Sequence, residues 1–365
     1  MTERIFNFSA GPAVLPEPAL AEAQRDLMAL PGVGASVLEI SHRSATFKKI
    51  LEQTLDDLRS LLAIPDGYHV LFLQGGSRLQ FSMVPMNLLR GSGRSADYLL
   101  TGSWGNKAIA EARKEGDVRV AWDGKASNYD RLPQPDALDL DPQAAYVHFT
   151  SNETIQGVQF PREPDVGSVP LVCDASSDFL SRPLAIDRYG ILYACAQKNA
   201  GPAGVTVVIV REDLLAAVPD PLPGMLDYRL HVQHGSLYNT PPVFGIYFVG
   251  LIAKWLRHDV GGLDAMAEQN GRKAEWLYTV IDQSNGFYRG HAQPECRSVM
   301  NVTFRLPSEL LEKEFLEQAQ SEGLVALGGH RSVGGIRASI YNAMPETGVK
   351  KLRDFMQAFH RQHAG

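Results

Sequence analysis

The chain has very little cysteine: Cys173, Cys195 and Cys296 stand alone among 365 residues, with no C-x-x-C spacing. That excludes a disulfide framework and a cysteine-rich zinc site, and no metal is expected. Also missing is any apolar run near the roughly 20 residues that span a bilayer. Residues 1–8 lack the basic and apolar regions of a signal peptide, so the expected location is cytoplasmic, with no membrane partner. There is no basic excess: 35 Lys and Arg against 41 Asp and Glu give a net charge of −6. This argues against a general nucleic-acid role and leaves room for a local anion pocket. Repeats and low-complexity tracts are absent, and 44% hydrophobic with 21% charged residues describes an ordinary globular chain long enough for two domains.

What is present is a series of alternating elements. Apolar runs at 68–73, 97–100, 118–122, 145–149, 169–173, 191–196 and 205–210 read as strands, several with helical spacing between them. Seven such runs predict an α/β fold with a largely parallel, seven-stranded sheet buried on both faces. A helix is expected over 16–30, and another begins at Ser44, a plausible N-cap, with Phe47, Ile50, Leu51, Leu55, Leu58, Leu61 and Leu62 on its apolar face. Beyond Pro241-Pro242, helices over 244–257 and 263–281 precede short strands at 300–306, 324–327 and 335–340, which suggests a smaller α+β C-terminal domain. The turn-rich arm 7–13 is expected to complete that domain. The division is therefore 16–258 for the large domain, and 1–15 with 259–365 for the small one.

Polar residues collect just after the strands: Gln74 to Arg78, Thr101 to Trp104, Thr150 to Thr154, Asp174, and Gln197-Lys198. Open α/β sheets bind ligands at this carboxyl edge, so these segments can converge on one site. Lys198 lies in a Gly/Pro-rich turn between two apolar runs, and Asp174 ends another run 24 residues earlier (198 − 174). A desolvated lysine loses its proton more readily and becomes a nucleophile suited to Schiff-base chemistry. An acid at a neighbouring strand end keeps a pyridine nitrogen protonated, so the two residues fit a pyridoxal-phosphate site. Taken alone, Lys198 reads as readily as a snorkelling surface residue. Gly75-Gly76-Ser77-Arg78 is either a phosphate cradle at a helix start or an ordinary glycine turn. Trp104 either stacks on an aromatic cofactor or fills the core, and Asn152 and Thr154 are either site residues or caps.

Nine segments in order carry a resemblance: Phe8-Ser-Ala-Gly-Pro12, Ser41-His-Arg-Ser44, Gln74-Gly-Gly-Ser-Arg78, Gly102-Ser-Trp104, Asn152-Glu-Thr154, Asp174-Ala-Ser-Ser177, Gln197-Lys-Asn-Ala-Gly-Pro202, Tyr238-Asn-Thr-Pro-Pro242 and Gly329-His-Arg-Ser-Val-Gly-Gly335. Together the chain resembles the phosphoserine aminotransferase family, pyridoxal-phosphate enzymes of the aspartate-aminotransferase fold type I. The resemblance implies that Lys198 holds the cofactor aldehyde and that Asp174 pairs with the pyridine nitrogen. It also implies that Trp104 stacks on the ring, that Thr154 meets its hydroxyl side, and that Gly76, Ser77, Arg78 and Gln197 hold the phosphate. Asn239 and Thr240 reach that phosphate from the other subunit of a homodimer. Arg337 clamps the substrate α-carboxylate, while His42, Arg43, His330 and Arg331 take the distal phosphate or carboxylate. The implied reaction moves the amine of L-glutamate to 3-phosphohydroxypyruvate, giving O-phospho-L-serine and 2-oxoglutarate. Some members also aminate 3-hydroxy-2-oxo-4-phosphooxybutanoate on the way to pyridoxine.

Two rivals share the fold type. A cysteine desulfurase needs a nucleophilic cysteine, for which Cys296 in Pro294-Glu-Cys-Arg297 is the one candidate. An alanine–glyoxylate aminotransferase differs in substrate only. A silent pyridoxal-phosphate binder would keep the cofactor site without the anion clamps.

Overall fold

A computed structural model describes residues 4–363, so residues 1–3 and 364–365 of the expected small domain lie outside the described residues. The seven apolar runs form one sheet: β1 (Tyr68–Leu73), β2 (Ala96–Leu100), β3 (Val118–Asp123), β4 (Val147–Thr150), β5 (Leu171–Asp174), β6 (Tyr189–Cys195) and β7 (Thr206–Arg211). Their order across the sheet is β1-β7-β6-β5-β4-β2-β3. All neighbours are parallel except β7, which runs antiparallel to both β1 and β6. The reason is local: β6 and β7 are joined by a short helix-free loop, and a parallel return would need a crossover of a dozen residues or more. That loop carries Lys198.

Both faces of the sheet are covered, so its strands are apolar nearly throughout; β6 is buried from Tyr189 to Cys195. Each Leu, Ile or Phe removed from water in this way contributes roughly 1.5–3 kcal/mol. Helices follow β1 (Gly76–Leu88) and β2 (Ser103–Ala112), and both begin at the sheet's carboxyl edge. The helix Ala45–Leu62 starts as expected, with Ser44 Oγ accepting the Phe47 N–H at 3.1 Å.

A second apolar cluster gathers Phe8, Leu277, Val302, Phe304, Phe315, Ile336, Leu352 and Phe359 around a sheet of Arg289–Gly290, Asn301–Arg305 and Ile336–Ser339. The helix Leu263–Asp282 joins the two cores, giving Leu263 and Met266 to the first and Leu277 and Ile281 to the second. The arm packs far along the chain: Phe6–Asn7 pairs in parallel with Leu324–Val325, and the Ala13 N–H reaches the Gln197 carbonyl at 2.8 Å. Among the described residues, no helix is long and apolar enough to cross a membrane.

Candidate active site

The carboxyl ends of β1, β2, β4, β5 and β6 surround a cavity of ≈ 360 Å³. Its lining includes Gly76, Ser77, Arg78, Trp104, Thr154, Asp174, Gln197, Lys198, His330 and Arg337. Ten of the residues proposed from sequence therefore meet in one place.

The phosphate side is built by backbone shape. Gly75 and Gly76 have φ of +86° and +64°, a left-handed pair that other residues adopt only with strain, and the helix Gly76–Leu88 begins there. Free N–H groups at that helix start face the cavity mouth beside Ser77 and Arg78. The Ser77 and Ser176 hydroxyls lie 2.5 Å apart, and Ser176 Oγ also accepts the Cys195 N–H at 3.2 Å, which ties β1 to β5 and β6.

Asp174 ends β5, buried, and accepts the Ser176 N–H at 3.0 Å. Burial raises its pKa, while Lys198 and the Ser176 hydrogen bonds oppose the rise. Lys198 is half-buried with its Nζ 5.6 Å from the centre of the Trp104 ring. The expectation that burial alone makes it an easy proton donor needs correction. Burial pulls the Lys198 pKa down, but Tyr341, Cys195, Asp174 and Glu153 outweigh it and the net shift is upward. Lys198 and Asp174 are therefore electrostatic partners, each favouring the other's charged form.

Trp104 stands in the first turn of its helix, and its indole Nε1 donates to Thr154 Oγ1 at 2.9 Å. This hydrogen bond fixes the indole: Trp104 and Thr154 form part of the cavity wall, and Trp104 also packs against the apolar core on that face of the sheet. Asn152, by contrast, is structural, donating to Ser177 Oγ and Asn301 Oδ1 at 2.8 Å each.

At the mouth, His330 and Arg337 come from the second core. The loop bearing His330 is pinched shut: a side chain at Gly329 would place its Cβ 1.9 Å from the Gly334 carbonyl oxygen. The Gly329 N–H donates to the Gly335 carbonyl at 2.8 Å, and His330 Nδ1 lies 2.7 Å from Ser332 Oγ. Arg337 donates to the Thr154 carbonyl at 3.3 Å. Burial, then Arg337, Lys107 and Arg331, push the His330 pKa down. Burial likewise lowers Arg337. Cations crowded together with few counter-charges make a positive mouth that attracts dianions.

His42, Arg43, Arg331, Asn239 and Thr240 do not line this cavity. Arg43, Arg331 and Thr240 are exposed. Asn239 Nδ2 donates to Gln74 Oε1 at 3.1 Å, and Gln74 Nε2 reaches the Thr240 carbonyl at 3.3 Å, outside the sheet's β1 edge. Cys296 is buried, its thiol donating to the Asp130 and Gln293 carbonyls, and burial, then Glu295 and Asp130, push its pKa up to about 11. Burial shields the thiol and disfavours its thiolate, which argues against the desulfurase rival.

Three residues escaped the sequence reading. Lys107 holds its Nζ 4.0 Å from the Trp104 ring centre, and its i,i+3 spacing from Trp104 was the available signal. Tyr341, whose hydroxyl donates to the Ala10 carbonyl at 2.9 Å, is the strongest upward influence on Lys198. Glu153, fully buried, accepts the N–H groups of Trp104 and Gly105.

Comparison with known proteins agrees with this geometry. The family description "Aminotransferase class-V" matches residues 5–352. The phosphoserine aminotransferase of Rhodopirellula baltica is 58% identical over 98% of this chain and 95% of its own length. The solved phosphoserine aminotransferase of Bacillus circulans subsp. alkalophilus superposes with a TM-score of 0.96 at 52% identity, covering 99% of each chain. The PLP-bound phosphoserine aminotransferase from Trichomonas vaginalis gives 0.92 at 39% identity, over 97% of this chain and all of that one. The chain belongs to the phosphoserine aminotransferase family of class-V aminotransferases.

Proposed function

We propose that this chain transfers the amino group of L-glutamate to 3-phosphohydroxypyruvate, producing O-phospho-L-serine and 2-oxoglutarate, with pyridoxal phosphate as cofactor. The observation that carries the reading is that Lys198, Asp174 and Trp104 line one cavity, with Lys198 Nζ 5.6 Å from the centre of the Trp104 ring. The residues present fit the cofactor: the Gly75–Gly76 turn opens a helix start in the cavity lining, and the buried Asp174 lines the same cavity.

In this reading Ser77, Arg78, Gln197 and the N–H groups after Gly76 hold the phosphate, Trp104 covers one ring face, and Thr154 meets the ring hydroxyl. When bound, pyridoxal phosphate supplies an electron sink for the pair released as the substrate Cα–H bond breaks. Asp174 keeps the pyridine nitrogen protonated, so the sink stays effective. Lys198 Nζ would hold the cofactor before the substrate arrives and would then carry the Cα proton as general base and acid. Arg337 binds the α-carboxylate, bidentate by its planar fork, and His330 with Arg331 receives the distal anion. The two halves of the reaction use the same groups in opposite order.

His42, Arg43, Asn239 and Thr240 belong to this machinery through a homodimer, in which Asn239 and Thr240 complete the partner's phosphate site. Their position away from the cavity of their own chain supports that assignment. The large domain is 16–258, and the small domain is 1–15 with 259–365; Phe8 in the second apolar cluster supports placing the arm in the small domain, while Leu263 and Met266 of the joining helix still pack on the first cluster. Three buried, unpaired cysteines favour the cytoplasm.

The test is the visible absorption of the purified protein with pyridoxal phosphate, before and after glutamate, beside Lys198→Ala. A yellow band that glutamate bleaches, and that Lys198→Ala lacks, is expected. A protein that stays colourless with added cofactor would overturn the proposal.

A further inference from the structure

Glu153 is 0% exposed and belongs to no ion pair, yet it lies beside every element of the cavity wall that carries the indole. Its two carboxylate oxygens accept the Trp104 N–H at 2.9 and 3.1 Å, and Oε1 accepts the Gly105 N–H at 2.8 Å. These are first-turn donors of the helix Ser103–Ala112, which has no side-chain cap of its own. Gln156 adds a reciprocal clasp, its amide oxygen accepting the Ser103 N–H at 3.3 Å and its Nε2 donating to Ser103 Oγ at 2.9 Å. The chain is shaped to admit this contact: a Cβ at Gly102 would stand 2.5 Å from Glu153 Cδ and 2.7 Å from Gln156 Oε1. Thr154, the next residue along, holds the far end of the same indole at Nε1. One dipeptide, Glu153-Thr154, therefore grips Trp104 by its backbone and by its ring.

We propose that Glu153 is a positioning residue for the cofactor, fixing the Trp104 indole against the cavity by accepting the N–H groups of Trp104 and Gly105. This rests on the pyridoxal-phosphate reading above. A buried carboxyl group whose oxygens accept backbone N–H bonds at a helix start acts as a cap from a distant part of the chain. Without it the first turn is free to shift, and the ring loses the plane that stacking requires. Glu153 acts through Trp104, touching neither substrate nor cofactor.

The test is a double-mutant cycle read as the dissociation constant of pyridoxal phosphate, by equilibrium dialysis of enzyme stripped of cofactor. Glu153→Gln keeps the shape but turns one acceptor into a donor. In the Trp104-containing protein it should weaken binding about tenfold, the equivalent of about 1.4 kcal/mol. In a Trp104→Ala background the same change should cost less than about twofold, because the ring it positions is gone. Gly102→Ala displaces the carboxylate without altering it and should give the same pattern, which keeps the idea testable if Glu153→Gln fails to fold. Equal weakening in both backgrounds would make Glu153 a general structural residue and overturn the proposal, as would unchanged binding in the folded variants. A wild-type protein that does not bind pyridoxal phosphate would instead defeat the functional reading on which this rests.

Discussion

At the floor of the cavity Asp174, Ser176 and Trp104 are held by the same chain. Asp174 is fixed by Ser176, Ser176 by Ser77 and the Cys195 N–H, and Trp104 by Thr154 and Glu153. At the rim the arrangement is looser. His330 and Arg337 come from the second core, Arg331 is exposed, and His42, Arg43, Asn239 and Thr240 lie outside the cavity altogether. The floor is where charge must be placed to within a fraction of an ångström, so it is buried and internally wired. The rim has only to collect anionic ends, which long cationic side chains do from several directions. On the homodimer proposed above, the difference separates what one folded chain does from what needs two.

The floor should fail outright when touched. Lys198→Ala removes both the cofactor anchor and the proton carrier, and kcat should fall by about 10⁴ or more. Steady-state assay of the purified variant checks this, and a fall of less than tenfold would move the proton transfer to another group. Asp174→Asn keeps the shape and removes the charge beneath the cavity. It should lower kcat about a hundredfold or more with little change in thermal midpoint. A variant that keeps its rate would show that the acid is a structural residue of β5.

The places of these two residues were legible because strand ends are legible: apolar runs mark the strands, and residues immediately after them fall at the carboxyl edge of the sheet. Their pairing as a cofactor site came through the resemblance, since a strand-end lysine alone reads as readily as a snorkelling surface residue. The direction of β7 was not legible from its period, which is the same either way; the ten-residue, helix-free connection between β6 and β7 held that information. Lys107 was missed because a lysine on a helix looks like any solvated residue until Trp104, three positions earlier, is seen to face the cavity. Glu153 was missed for a deeper reason. Its partners are backbone N–H groups about fifty residues away, and the backbone leaves no mark in a sequence. The anion clamps at 330–337 came through the resemblance, since a histidine and an arginine in a glycine-rich loop otherwise read as a solvated turn.

The rim comparison sharpens on Asn239, whose loss should be milder, about tenfold in catalytic efficiency, because on the assignment proposed above it removes one hydrogen bond from an uncharged side chain to the phosphate. The decisive measurement is mixing. Asn239→Ala protein combined with Lys198→Ala protein, after dissociation and reassociation, should recover about a quarter of wild-type activity if Asn239 serves the partner's site, since half the dimers then carry one intact site. If Asn239 serves its own chain, no mixed dimer has an intact site and activity stays near the level of the weaker parent mixture. That outcome would return the whole rim to a single chain and erase the contrast with the floor.

The smallest expected effect concerns Glu153 and is read in stability rather than turnover. Burial, opposed by the Gly105 and Trp104 N–H groups, pushes its carboxyl up to about 7 from the ordinary 4.5. The charged or titratable groups that feel it are Asp174, Lys198, Lys107 and Tyr129. Between about pH 4.5 and 7 the folded protein therefore keeps a proton there that the unfolded chain has released. Stability contributed by a raised pKa is complete below the unfolded value and is lost as pH rises through the folded one, so the cofactor-free protein should become less stable across this window. Asp174 and Asp178, also raised by burial, push the same way and leave some slope behind. Glu153→Gln removes one titrating proton, so the dependence should flatten by up to about 1.4 kcal/mol per pH unit. Urea unfolding of both proteins at pH 5, 6 and 7 measures it. An unchanged slope would mean that the Trp104 and Gly105 N–H groups keep Glu153 ionised throughout, placing it with the fully wired floor instead of among the groups that titrate near neutrality.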